Sequence, residues 1–184
     1  KTFLEKKIME MKNFIQKYND IIDHELCDQI IKEADENHFK SATTGDGNVS
    51  DYRNCIAKPL SDKFDKSIFE VVAKSLRKYC ETFKWCEFGL NIEDTGYQHL
   101  FYKGSNRGEY KMHTDHFDLH PRVLSCSMIL NDNYDGGDFV FFDEQYLVKK
   151  KKGSVIMFPS NFCFPHAVTP VTNGDRHSII TWIR

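Results

Sequence analysis

The sequence lacks several features that mark specialised classes of protein. No run of about 18 apolar residues occurs in the 184, so we expect no membrane-spanning helix and no membrane partner. The opening KTFLEKKIMEMK has neither an apolar core nor a small-residue cleavage site, so we expect no secretory signal and a cytoplasmic location. Charge of one sign is also missing, because the net charge is only −2. This argues against a dedicated nucleic-acid binder, so we expect no nucleic-acid partner, but it leaves a nucleic-acid substrate open.

The cysteines lack the spacing of a metal or redox motif. No two of the six are arranged as CxxC, which excludes a zinc knuckle and a thioredoxin-like site. We expect buried free thiols that act as small apolar side chains. They are Cys27, Cys55, Cys80, Cys86, Cys126 and Cys163.

What the chain does contain is apolar and aromatic material for a core. Apolar residues make up 40%, and 15 Phe and 8 Tyr are present, which excludes a disordered chain. The length predicts a single domain. We divide it into N-terminal helices and supporting strands over residues 1–96 and a functional core over residues 97–184.

The first half shows two helical patterns. Asp23 can cap a helix whose apolar residues recur at steps of three and four as far as Ala34. Ser61 or Asp62 can cap a longer helix that reaches Phe83. The polar, glycine-containing segment Ser41–Ser50 lies between them and is predicted to be a flexible loop.

From Tyr97 onward the pattern changes to short runs rich in β-branched and aromatic residues. Turn-forming sequences separate them, which indicates a sandwich, barrel or jelly roll of class α+β rather than βαβ units. We expect the two helices to brace one sheet. The predicted strands are Tyr97–Lys103, Val123–Asn131, Asp138–Phe142, Ser154–Phe158 and Arg176–Ile183.

The segment Tyr110–Asp115 contains the most informative pair of residues. On an extended strand, positions i and i+2 share a face, so His113 and Asp115 direct an imidazole and a carboxylate to one point. Tyr110 is predicted to lie on the opposite face and to have only a lining role. An HxD pattern alone is weak evidence, but one more imidazole would complete the two-His, one-carboxylate triad that binds Fe(II).

The second half of the chain supplies the missing groups. His166 is far enough from Asp115 to return on another strand, and Arg176 follows ten positions later. A guanidinium in an apolar pocket is costly to bury unless it meets an anion, and its planar fork suits a carboxylate. An iron triad with such an arginine is what a 2-oxoglutarate site requires.

These motifs occur in an order that resembles the prolyl 4-hydroxylase-type branch of the Fe(II)/2-oxoglutarate-dependent dioxygenases. The resemblance extends over most of the chain, and the ordered combination is more specific than any single motif. The matching segments are Ile21–Ile31, Ser50–Cys55, Tyr97–Phe117, Arg122–Asp132, Gly136–Phe139, Lys152–Ser160, His166–Val171 and Gly174–Arg176.

The resemblance implies a double-stranded β-helix (jelly-roll) core with N-terminal bracing helices. It implies that the chain is an enzyme that hydroxylates a substrate carbon, with a prolyl residue in a peptide or protein as the expected target, using Fe(II), 2-oxoglutarate and O2, with ascorbate as a reductant. The products would be the hydroxylated substrate, succinate and CO2. The roles it implies are iron ligation by His113, Asp115 and His166, and cosubstrate binding by Arg176, Tyr102 and Ser178.

Alternative functions remain open at this point. A dioxygenase acting on nucleic acid would usually carry a second arginine six positions after Arg176, where this chain has Trp182. A free amino acid is another substrate that the sequence allows. A non-catalytic jelly-roll module that binds a metal or ligand is the alternative from a different class. His116, His120 and His177 are not expected to take part in the site.

Overall fold

Two antiparallel β-sheets form the body of the protein, and two helices pack on one of them. The computed structural model describes residues 10–44, 47–90, 93–116 and 121–184. The helices are α1 (His24–Lys32) and α2 (Asp65–Thr82). The strands are β1 (Gln16–Tyr18), β2 (Lys40–Ser41), β3 (Arg53–Asn54), β4 (Ile56–Pro59), β5 (Gln98–Lys103), β6 (Glu109–His113), β7 (Leu124–Ile129), β8 (Asp135–Gly136), β9 (Phe139–Phe141), β10 (Tyr146–Val148), β11 (Val155–Pro159), β12 (His166–Val168), β13 (Val171–Asn173) and β14 (Asp175–Ile183).

The strand order explains how residues distant in sequence meet. The larger sheet has the order β1-β11-β7-β14-β5-β4-β2, and the smaller one has the order β10-β9-β12-β6-β3. Strands β8 and β13 form a separate two-stranded pair. This arrangement is the jelly roll expected from the sequence, and strand β14 lies at the centre of the larger sheet.

The helices begin where the sequence predicts. The Asp23 carboxylate accepts a hydrogen bond from the Glu25 amide at 2.7 Å and caps α1. The second predicted helix begins with a 3₁₀ turn over Asp62–Phe64 and continues as α2. The apolar residues of both helices belong to one cluster that includes Met128 and Ile179 of the larger sheet, so the helices brace that sheet.

Alternation along the strands produces a second core between the two sheets. Ile179 of β14 packs with the helices, whereas the next residue, Ile180, packs with Phe139 and Phe158 in the inter-sheet cluster. Successive side chains of a strand point to opposite faces, so one strand serves both cores. The functional cavity opens within the inter-sheet layer, lined in part by Ile180 and Phe139.

The five predicted strands are all present, with ends that differ by at most two residues. The strands expected at His113 and His166 are also present, as β6 and β12, and the remaining strands are two to four residues long. They include β1 to β4, which precede residue 97 and join both sheets. The division of the chain at residue 97 stays a prediction.

Two further features bear on the sequence analysis. Within the described ranges, no helix combines the length and the apolar character needed to cross a bilayer. All six cysteines are free thiols, and four of them are buried.

Candidate active site

The two histidines of the predicted triad lie opposite each other on neighbouring strands. His113 ends β6 and His166 begins β12, and the two residues are directly paired in the antiparallel register. Their ring centroids are 4.3 Å apart. Pairing of these two strands therefore brings together residues that are 53 positions apart in the sequence.

Asp115 completes the cluster from just beyond the end of a strand. The strand expected to carry both His113 and Asp115 ends at His113. The carboxylate nevertheless points to the same place, with its oxygens 3.7 Å from His113 Nε2 and 3.5 Å from His166 Nε2. These separations are too long for good hydrogen bonds. Three ligand atoms within 4.8 Å of one another therefore surround a common centre.

Hydrogen bonds to the backbone orient both imidazoles. His113 Nδ1 is 2.8 Å from the carbonyl oxygen of Lys111, and His166 Nδ1 is 3.1 Å from that of Phe164. Because a carbonyl only accepts, each Nδ1 carries the proton and each Nε2 presents its lone pair toward Asp115. Burial, with His166 alongside, lowers the pKa of His113 to about 3, which also favours the neutral ligand form.

A buried hydroxyl chain supports the carboxylate. Ser125 donates to Asp115 Oδ2 at 2.7 Å, and its oxygen lies 2.8 Å from the hydroxyl of Ser160. Burial acts to raise the pKa of Asp115, but the imidazoles of His166 and His113 and the Ser125 hydroxyl outweigh it, so the pKa lies below its ordinary value. The carboxylate is therefore ionised and available as a ligand at neutral pH.

Arg176 lies in the same cavity as the triad and is only 3% exposed. Its Nη1 donates to the Ser178 hydroxyl at 2.8 Å, as expected for residues two apart on one strand. The guanidinium carbon lies 4.8 Å from the ring centroid of Tyr102, which is itself buried. No ion pair joins Arg176 to a carboxylate of the described residues, so the cavity holds a buried cation that lacks an anion.

Tyr110 does not lie on the face predicted for it. The register between β6 and β12 advances three residues from Tyr110 to His113 but only two from Val168 to His166, which is a β-bulge. The extra residue returns Tyr110 to the face of His113, and the two rings stack with centroids 3.5 Å apart. Tyr110 does line the cavity, as expected, but from beside the metal ligand.

Two cavity arginines were not identified as site residues from the sequence. Arg53 of β3 and Arg122, which precedes β7, both line the cavity of about 320 Å³. Arg122 donates to the backbone oxygen of Asp115 at 3.1 Å and stacks on Trp182, its guanidinium carbon 3.6 Å from the ring centroid. Both lie in segments that carry the family resemblance, Ser50–Cys55 and Arg122–Asp132, but the sequence analysis assigned them no role because their entry into the cavity depends on strand pairing.

The three histidines not expected in the site, and the predicted loop over residues 41–50, differ in their positions relative to the cavity. His177 points away from the cavity and stacks on Phe101, with ring centroids 4.3 Å apart. His116 lines the cavity rim, which the sequence analysis did not expect, whereas His120 lies outside the described residues. Within the segment 41–50, Thr43, Thr44 and Gly47 line the cavity, and residues 45–46 lie outside the described ranges.

Solved structures share this fold over almost the whole chain. A viral collagen prolyl hydroxylase from Paramecium bursaria Chlorella virus-1 covers 93% of this chain and 96% of its own, with a TM-score of 0.69 and 21% identity. A Trichoplax adhaerens prolyl hydroxylase in complex with a hypoxia inducible factor peptide covers 93% and 83%, with a TM-score of 0.73 and 17% identity. At these identities the likeness shows the fold alone.

Sequence comparison adds closer relatives over a shorter stretch. The PKHD-type hydroxylase YbiX of Shigella boydii is 35% identical over 96 aligned residues, covering 46% of this chain and 42% of that protein. The chain therefore spans less than half the length of this relative, and the YbiX protein of Escherichia coli gives the same values. The family model of the 2OG-Fe(II) oxygenase superfamily matches residues 97–184, which contain His113, Asp115, His166 and Arg176. The chain is therefore similar to this superfamily over residues 97–184, just under half of its length.

Proposed function

We propose that the protein is an Fe(II)- and 2-oxoglutarate-dependent dioxygenase that hydroxylates a prolyl residue of a peptide or protein and releases succinate and CO2. One observation carries the proposal: a His-Asp-His cluster and the buried, anion-free Arg176 line the same cavity. Fe(II) with 2-oxoglutarate and O2 supplies the oxidising power that no amino-acid side chain has.

His113, Asp115 and His166 would hold the metal. Two neutral imidazoles and one ionised carboxylate are the donor set of the facial triad, which leaves the opposite coordination positions open. Both Nε2 atoms already face Asp115, so the site needs no change of tautomer to bind a cation. The Ser125 hydroxyl holds the carboxylate in this orientation.

Arg176 would bind the distal carboxylate of 2-oxoglutarate. Its guanidinium can form two parallel hydrogen bonds to a carboxylate, and burial strengthens them. Ser178 offers a hydroxyl beside it, and the Tyr102 ring lies against the guanidinium. Burial raises the pKa of the Tyr102 phenol, so the phenol keeps its proton and can donate to the cosubstrate. The apolar side chains of Leu100 and Ile180 line the same cavity.

The prolyl target and the cytoplasmic location are parts of the proposal with separate support. The structural neighbours are named as prolyl hydroxylases, one of them in complex with a peptide, and the curated relatives are named as hydroxylases. Thr43, Thr44 and Gly47 line the cavity, so they would lie beside a peptide bound there. Ascorbate would serve as an external reductant, and the cytoplasm is the compartment that best suits an Fe(II) enzyme with six free thiols.

An anaerobic titration with Fe(II) and 2-oxoglutarate tests the proposal. We expect a weak visible metal-to-ligand charge-transfer band in the wild-type protein, followed by succinate release when O2 and a proline-containing peptide are added. The control is Asp28→Asn, which removes an exposed carboxylate that lies outside the cavity and should leave the band unchanged. A folded protein that shows no band and releases no succinate would instead be a non-catalytic binding module.

A further inference from the structure

The cavity carries more positive charge than the metal and the cosubstrate require. We propose that Arg122 and Arg53 form a second anion site that selects substrates with a carboxylate close to the target residue, in a peptide the side chain of an Asp or Glu next to the proline. This inference rests on the proposed function, because it concerns the substrate of the same cavity.

Arg122 is held next to the metal ligands. Its Nη1 donates to the backbone oxygen of Asp115 at 3.1 Å, and its guanidinium stacks on Trp182 at 3.6 Å. Its Nε is buried and has no hydrogen-bond partner. A buried donor without an acceptor lowers the stability of the ligand-free protein, and an acceptor atom on a bound ligand would remove that penalty. Because Asp115 is a proposed metal ligand, its hydrogen bond to Arg122 places the guanidinium beside the metal centre.

Arg53 provides a second cation on the other side of the stacked rings. Its guanidinium carbon lies 4.6 Å from the Tyr110 centroid, and Tyr110 in turn stacks on His113. One Nη donates to the Thr43 carbonyl at 2.8 Å, while the Nε is buried without a partner. The arginine is therefore fixed in position but has hydrogen-bonding capacity left for a ligand.

The charges in the loaded cavity do not cancel. Among the described residues that line it, the three guanidinium groups of Arg53, Arg122 and Arg176 face a single carboxylate, that of Asp115. Fe(II) and the dianion of 2-oxoglutarate are equal and opposite, so their binding leaves the excess of cations unchanged. A low-dielectric cavity with uncompensated cations favours an anionic ligand and disfavours a cationic one.

A neighbouring cavity extends the same character away from the metal. This second cavity of about 150 Å³ shares Thr43, Arg53 and Gln98 with the first. Lys58 lines it, and none of its described lining residues is acidic. A peptide that continues from the metal past Arg53 would therefore meet positive charge along its path, which favours acidic residues near the proline.

The test compares blocked peptides that differ in one residue next to proline: Asp, its neutral isostere Asn, and Lys. Binding is measured anaerobically by fluorescence anisotropy on protein loaded with Fe(II) and 2-oxoglutarate, and succinate release is measured separately in air. We expect the Asp peptide to bind roughly tenfold to a hundredfold more tightly than the Asn peptide, and the Lys peptide to bind least. The Arg122→Gln and Arg53→Gln variants should each lose most of this preference, whereas the exposed Arg77→Gln should keep it.

The outcomes separate this inference from the proposed function. Equal binding of Asp and Asn peptides, or a preference that survives in both cavity variants, overturns the inference while the charge-transfer band still supports the dioxygenase. Loss of the band in the wild-type protein overturns the proposed function itself. Free L-proline is included because its own carboxylate could occupy the site, and tighter binding of proline than of every blocked peptide would overturn a peptide substrate. Should Arg122→Gln not fold, Arg122→Lys keeps the charge and should retain part of the preference.

Discussion

Replacing Arg176 with Gln is the most informative change to the candidate site. The substitution removes the charge and the planar fork but keeps one amide donor of similar reach. The native guanidinium is 3% exposed, donates to Ser178 and has no carboxylate partner among the described residues. We therefore expect opposite effects on ligand binding and on the stability of the ligand-free protein.

The magnitude for ligand binding follows from the burial of the arginine. Removing one partner of a buried, hydrogen-bonded charge pair costs about 2–5 kcal/mol, so the Kd of 2-oxoglutarate should rise by at least roughly 30-fold. Ser178→Ala removes only one neutral donor, worth about 0.5–1.5 kcal/mol, and should raise the Kd by about tenfold at most. In the ligand-free protein, Arg176→Gln removes a buried cation that lacks an anion, so the free energy of unfolding should stay the same or rise.

The assay is the anaerobic charge-transfer titration, combined with urea unfolding of the ligand-free protein. Fe(II) alone should bind Arg176→Gln as tightly as it binds the wild type, because the triad is intact. Equal 2-oxoglutarate affinity in wild type and Arg176→Gln would refute the assignment of the anion anchor. A large loss of ligand-free stability would show instead that the arginine is paired within the protein.

Three further changes test the metal centre, the buried histidines and the turn at Gly104 that follows β5. Asp115→Ala should abolish Fe(II) binding in an equilibrium dialysis assay while the circular dichroism spectrum stays native, since the two imidazoles lose the anionic ligand between them. Burial lowers the pKa of His99 to about 3 and that of His177 to about 4. The unfolded chain therefore binds more protons than the folded protein below about pH 6.5. The free energy of unfolding should fall toward pH 4 by up to about 1.4 kcal/mol per pH unit for each histidine. His99→Phe should reduce this slope in urea titrations. Gly104→Ala would place a Cβ 2.2 Å from the Gly174 carbonyl oxygen and should lower stability by about 1–3 kcal/mol in thermal melts.

The histidine and glycine predictions each have a matched control. His38 is exposed, and His38→Gln is the control because it leaves the buried His99 and His177 in place, so the slope that they cause should persist. Gly96→Ala meets no atom within 4 Å, so it should cost less than Gly104→Ala, although its φ of 77° carries some strain. A pH slope that persists in His99→Phe, or a larger loss for Gly96→Ala, would contradict the reasoning.

The elements that the sequence predicted correctly are those whose signal is local. The capping residue Asp23 and the apolar spacing of α2 are visible within a few positions, and the helices form there. The strand β14 is nine residues long and ends in the β-branched and aromatic run Ile179–Ile183, so its type was predictable. Strands of two or three residues such as Arg53–Asn54 contain too few positions to show alternation, and they form because a long partner strand is available.

The site residues divide in the same way. His113, Asp115, His166 and Arg176 occur in an order that resembles a known family, which is why their convergence could be expected before any geometry was known. The two remaining cavity arginines also lie in segments that share the resemblance, but no role was assigned to them, because Arg53 reaches the cavity only through a two-residue strand paired to β6. Pairing between distant segments, rather than residue type, decides which side chains share a cavity.

The β-bulge in β6 shows why the prediction for Tyr110 was wrong. Strict alternation places residues three apart on opposite faces, and only an extra residue in the ladder can bring Tyr110 and His113 together. That one residue creates the stack of guanidinium, phenol and imidazole formed by Arg53, Tyr110 and His113. Without the bulge, the Tyr110 ring would face the opposite side of the smaller sheet, and Arg53 would have no aromatic surface linking it to the metal ligand. The departure from regular pairing therefore occurs at the point where the metal ligand and the proposed substrate site meet, which is where a local irregularity has a functional use.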